Sequence, residues 1–154
     1  MLRRTWLRWV VVVGTSLPLR TWAFLPSPPQ PTADADPFAA NSVENALQRL
    51  GMQVALPSNQ IELDMPDLAE QGKPVSLTLR LMMPEIRKVA VLVSSNQTPL
   101  SALFTLSRSI EPKILLSVAL HEHAQIIAVV QTKTQCYRYE RFIRVVYPGW
   151  QDEN

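Results

Sequence analysis

The one thiol of this 154-residue chain, Cys136, lies two residues before Arg138 in Thr134-Gln135-Cys136-Tyr137-Arg138. Residues two apart in a strand share a face, so the guanidinium could favour a thiolate and make Cys136 a nucleophile or the carrier of a transferable group. The alternative is an inert thiol packed as a small hydrophobe, and a thiol held in a strand cannot swing between sites. His121 and His123 form His-Glu-His, which on a strand turns both imidazoles to one side, a geometry that can hold a metal ion. No third ligand is evident nearby, and the same stretch reads as a turn, where polar residues are expected. Glu62, Asp64, Asp67 and Glu70 make a local acidic cluster. Paired carboxylates can do acid–base work, but these flank a turn and are expected to be solvated. There is no Ser-His-Asp order, phosphate loop or zinc-ligand spacing. A single cysteine excludes an internal disulfide.

Aromatic residues gather near the end of the chain. Tyr137, Tyr139 and Tyr147 share one face of a regular strand, and Trp150 follows. Such a group can be core, edge protection or interface, and aromatics are enriched where interfaces carry their binding energy.

The elements that position these groups begin after an export signal. Residues 1–23 have a basic start, the apolar run Trp9–Val13 and a small residue, Ala23, before the expected cut. The run is too short to cross a hydrocarbon layer of ~30 Å as a helix. It reads as a cleaved secretory signal that meets the membrane only during export. Arg3 and Arg4, followed by Thr5-Trp6-Leu7-Arg8, match the twin-arginine pattern, with an ordinary Sec signal as the alternative. The expected location is the periplasm. Four of the 15 basic residues lie in this segment, so the formal charge of +2 comes from the signal. What remains is slightly acidic, and no nucleic-acid footprint is indicated. Residues 24–40 are a Pro-rich spacer, expected to be extended and without packing of its own.

A short helix follows. Asn41 is its expected cap, Glu44 stands three residues on, and Gly51 ends it. Val43, Ala46, Leu47 and Leu50 give it one apolar stripe. That stripe packs on its own domain or docks a partner, and the first is the simpler expectation. From Gln60 the period changes to two. Ile61, Leu63 and Met65 alternate with Glu62 and Asp64, and Val75, Leu77, Leu79 and Leu81 alternate with Ser76, Thr78 and Arg80. Lys88–Val93 is more continuously apolar and reads as a central strand. Lys113–His121 and Gln125–Gln131 read as a hairpin across Glu122–Ala124, and Gln135–Tyr147 as a long last strand. Turn residues separate these runs. Six or seven short strands with little helix predict an all-β fold, an immunoglobulin-like antiparallel β-sandwich with a short N-terminal helix, over residues 41–150. Residues 151–154 form a polar tail.

Several segments, in order, resemble the SoxY family of sulfur-oxidation proteins. Pro66-Asp67-Leu68-Ala69-Glu70 with Gly72 is similar to the family's Pro-Glu-Ile-Ala-Glu-Asn-Gly turn. Pro84-Glu85-Ile86 is similar to its Pro-Asn-Val turn. Asn96–Thr105 is similar to its Asn-Pro-x-Pro-Leu-Ala-x-x-Phe segment, the most specific of the set. Glu111-Pro112 and Ile126–Val130 are similar to the family's later strands, and Ile143–Tyr147 to the strand before its tail. The resemblance implies a periplasmic carrier subunit of thiosulfate oxidation, not an enzyme and without a cofactor, paired with a small SoxZ-like β-protein and serving separate sulfur-oxidation enzymes. It also implies a swinging cysteine in a Gly-Gly-Cys-Gly-Gly tail. Here Trp150 stands at that position, Pro148 stiffens the approach, and Gly149 alone survives of the glycines. This departure from the family's pattern leads to the expectation of a subunit without covalent sulfur carriage at the tail. The alternatives are a carrier working through Cys136 and an exported metal- or ligand-binding module using His121 and His123.

Overall fold

A computed structural model describes residues 35–107 and 113–148. The expected signal, with Arg3 and Arg4, most of the spacer, Glu111-Pro112, and Gly149 through Asn154 with Trp150 lie outside the described residues. Among the described residues no helix is long and apolar enough to cross a membrane.

The described chain opens on a 3-10 turn, Pro37–Ala39, and helix α1, Val43–Leu50. Nine strands follow: β1 Ala55–Pro57, β2 Ile61–Asp64, β3 Leu68–Glu70, β4 Pro74–Leu81, β5 Ile86–Val93, β6 Leu100–Thr105, β7 Lys113–Ala119, β8 Ala124–Thr132 and β9 Cys136–Val146. They form two sheets. The larger runs β1-β9-β8-β5-β6, with β3 also paired to β9; the smaller runs β2-β4-β7. The expected all-β sandwich is what forms. It contains strands beyond the alternating runs because β1 and β3 are three residues long, too short to show a period. Both lie parallel to β9, β1 beside its start and β3 beside its end.

Two apolar layers hold the fold together. The first lies between the sheets, where Leu77 and Leu79 of β4 meet Val89, Val91 and Val93 of β5 and Ile126 of β8. In β4 every second residue is buried, as its alternation requires. In β5 the last five residues are all buried, because the outer face is covered as well. The cover is α1, which lays Ala46 and Leu47, with Met52 beyond its end, over Ala90, Leu92, Ile127 and Val129. A fully buried Leu or Met side chain contributes about 1.5–3 kcal/mol, enough to hold an eight-residue helix that would be marginal alone.

The helix thus packs on its own domain. Its cap is Ser42, not Asn41: Ser42 Oγ accepts from the Asn45 N–H at 3.1 Å. Asn41 accepts instead from the Asn45 side chain. The cap falls one residue later because the residue with extended backbone is Ser42. Gly51 ends the helix in the left-handed region at φ 69°, as expected. The end of the spacer, by contrast, is not free of packing. Ala40 is fully buried under α1, Asp36 Oδ1 accepts from the Phe38 N–H, and Arg49 donates to the Asp36 carbonyl at 2.7 Å.

The β7–β8 hairpin does not form. β7 pairs with β4 in the small sheet, whereas β8 lies between β5 and β9 in the large one. Leu120–His123 is therefore a crossing between sheets. The physical reason is burial: β8 is apolar on both faces and belongs in the covered centre of the large sheet, while Leu115 of β7 is 70% exposed.

Candidate functional site

Cys136 is the first residue of β9, just after the tight turn in which the Thr132 N–H donates to the Gln135 carbonyl at 2.9 Å. It is opposite Gln131 of β8 on one side and Ala55 of β1 on the other. Its side chain points to the outer face of the large sheet, into the layer that α1 covers, and is 7% exposed. Burial pushes the thiol pKa above its ordinary value, because the thiolate would lose its water. Arg138 shares that face, as the strand period requires, yet it does not activate the thiol. Its Nε lies 2.5 Å from Glu140 Oε1 and its charge is spent there. The buried Nε has no hydrogen-bond partner among the described residues, so the contact is an ion pair only. The local chemistry is that of a packed, protonated thiol.

His121 and His123 are not on a strand. They occupy the crossing between β7 and β8, and their environments differ. His123 Nδ1 accepts from the Val145 N–H at 2.9 Å, and its ring packs against Phe142 with centroids 6.3 Å apart. β8 begins only at Ala124, opposite Ile143, so the imidazole supplies the acceptor that another strand residue would have given Val145. This bond places the ring proton on Nε2. A metal bound at Nε2 needs the opposite tautomer, with Nδ1 donating to its own partner. His121 is exposed, and its carbonyl accepts from Gln71. Among the described residues no three His, Cys, Asp or Glu side chains gather as a metal site. The pair does not fit a metal.

The acidic cluster is dispersed as well. Glu62 pairs with Arg80 at 3.5 Å, Glu70 with Lys73, and Asp67 with Arg141 at 2.7 Å. Three of the four carboxylates, all but Asp64, thus face a cation of their own. The Asp67 pair is structural. Arg141 reaches from β9 to the small sheet, where it also donates to the Leu63 carbonyl at 3.1 Å, while the Arg144 N–H donates to the Asp67 carbonyl. Nothing in a linear reading marks Arg141 out, because Leu63 and Asp67 lie more than seventy residues away.

Tyr137 and Tyr139 point inward and are half-buried against the intersheet layer. Tyr147 follows the last residue of β9 and is 44% exposed. Around that end stand further exposed apolar side chains, Leu68, Phe142 and Val146. The exposed apolar side chains of this region thus gather at the exit of β9. The strand is pinned there by β3, with Gln71 N donating to the Val146 carbonyl, and by His123.

The family model "Sulfur oxidation protein SoxY" matches residues 48–149. The chain belongs to the SoxY family. The match reaches Gly149 and stops one residue before Trp150. Among solved structures this chain is similar to the sulfur carrier protein SoxY from Chlorobium limicola f thiosulfatophilum, with a TM-score of 0.58 and 22% identity over 63% of this chain and 90% of that one. It is also similar in fold to a superoxide reductase (neelaredoxin) from Ignicoccus hospitalis, with a TM-score of 0.53 and 11% identity over 57% and 81% of the two chains. A putative superoxide reductase from Thermotoga maritima gives 0.50 and 12% over 56% and 85%. No curated protein matches the chain. The SoxY family supplies carrier subunits of sulfur oxidation, and this chain has the family's body.

Proposed function

We propose that this SoxY-family chain is an exported, periplasmic subunit of sulfur oxidation that pairs with a small SoxZ-like β-protein and serves separate enzymes without itself holding sulfur covalently. The observation that carries the reading is the state of its single thiol. Cys136 is buried beneath α1 in a paired strand, and its proton is held more tightly than in water. A relay thiol must be exposed, ionised and mobile, and Cys136 is none of these. At the family's carrier position stands Trp150, which has no acidic proton to lose and no nucleophilic atom to load. Partner binding rests on the shared β-body, with exposed Tyr147 as the leading aromatic candidate beside Tyr137 and Tyr139, and Trp150 following in the sequence. The twin-arginine pattern at Arg3 and Arg4 supports export in a folded state.

The test is the intact mass of the protein purified from its own periplasm, with whatever co-purifies. A chain beginning near Phe24, a small β-protein partner and no sulfur adduct support the proposal. A sulfane, sulfonate or thiosulfonate adduct removed by reductant overturns it and assigns carriage to Cys136. In a reconstituted thiosulfate assay, Cys136→Ser is expected to leave activity unchanged.

A further inference from the structure

We propose that the segment after β9 docks on its own domain, with the Trp150 indole seated in the groove between β3 and the start of β4. The groove has a volume of ≈ 480 Å³, and Leu68, Ala69, Pro74, Val75 and Val146 supply its apolar walls. Two open sheet edges meet there. β3 pairs only with β9, and β4 gains β2 as a neighbour only from Thr78 onward, leaving Pro74–Leu77 with β7 alone. Val75 and Ala69 at the groove are buried parts of the intersheet layer, whereas Leu68 is 52% and Val146 43% exposed. An apolar side chain laid there would cover surface that the two sheets leave open.

The occupant is named by continuity. Val146 is both a wall of the groove and the last residue of β9. Trp150 comes four residues later, within ~13 Å of extended chain. The chain already turns at Pro148, and Gly149 lets it take either sign of φ, so it can fold back toward β3. Indole suits such a place, with a large apolar body and one N–H for an edge carbonyl. Lys73 also lines the groove, and the acidic residues Asp152 and Glu153 follow Trp150 in the sequence, although the nearest partner of Lys73 is Glu70. Docking would turn the family's free arm into a stowed segment. It goes beyond the proposed function and fails separately from it, since a Trp150 in water would leave the missing carrier thiol as it is.

The chain's four tryptophans are Trp6, Trp9, Trp22 and Trp150. Replacing the first three by Phe in the full chain leaves Trp150 as the only indole. The expected emission is blue-shifted from N-acetyltryptophanamide, with acrylamide quenching several-fold slower. Both values should return to those of the free amide in Leu68→Ser, whose half-exposed site tolerates the change; Val146→Thr provides the same test should that variant melt early. Emission and quenching equal to the free amide in the parent overturn the proposal. Protection indifferent to both groove variants overturns it too, as does protection that fades on dilution, which would mean a second copy's tail.

Discussion

Cys136→Ala and native thiol labelling together examine the buried thiol. Labelling needs the α1 layer to open, which exposes at least Leu47 and Met52. At about 1.5 kcal/mol each as a lower figure, opening costs about 3 kcal/mol. A tenfold change in an equilibrium takes 1.4 kcal/mol, so labelling of the native chain by a maleimide or disulfide reagent at pH 8 should be ~100-fold slower than in urea. The pH dependence has a definite sign. Because the native thiol pKa is raised above its ordinary 9.0, the unfolded chain releases that proton first as pH rises. The thiol's contribution is fully present below pH 9 and is lost above it, so native stability falls there by an increment that Cys136→Ala removes. Urea melts of both chains between pH 7 and 10 measure it. Labelling of the native chain within tenfold of the unfolded rate, or a rate independent of pH from 7 to 9, would refute the reasoning, because either result requires an accessible or already ionised thiol.

Three further outcomes are expected. His123→Ala should cost about 1–2 kcal/mol, because it leaves the half-buried Val145 N–H without an acceptor, whereas His123→Asn should retain most of that stability; amide exchange at Val145 separates the two. Arg141→Met should cost about 1 kcal/mol by chemical denaturation, most of it from the Leu63 carbonyl, since Asp67 is exposed and its ion pair is screened. Glu85 has φ 55°, and Glu85→Asn should stabilise by about 0.5–1 kcal/mol; a melting temperature no higher than that of the parent would mean its turn is held without strain.

The last of these connects the family resemblance to backbone physics. Pro84-Glu85-Ile86 stands where the family has Pro-Asn-Val, and Asn is the non-glycine residue that best accepts a left-handed conformation. The similarity of the segment was legible in the sequence, but the reason for Asn became visible only with φ in hand. The Cys136 environment divides in the same way. Strand period placed Cys136 and Arg138 on one face, and they share it. The covering of that face by α1 depends on contacts that no local window contains, whereas the Arg138–Glu140 pair joins neighbours two apart on one strand face.

By itself the sequence determined the alternation of β2 and β4, the doubly apolar centre at β5, the helix stop at Gly51 and the family to which the chain belongs. These are local patterns, set by strand and helix periods and by backbone freedom at single residues. The tertiary structure alone decided that β7 and β8 part into different sheets, that Leu68–Glu70 and Ala55–Pro57 add parallel edges to β9, and that His123 serves a strand instead of a metal. Each of these joins residues far apart in the chain. Which face must be covered, and which backbone group still lacks a partner, is defined only once the sheets have met.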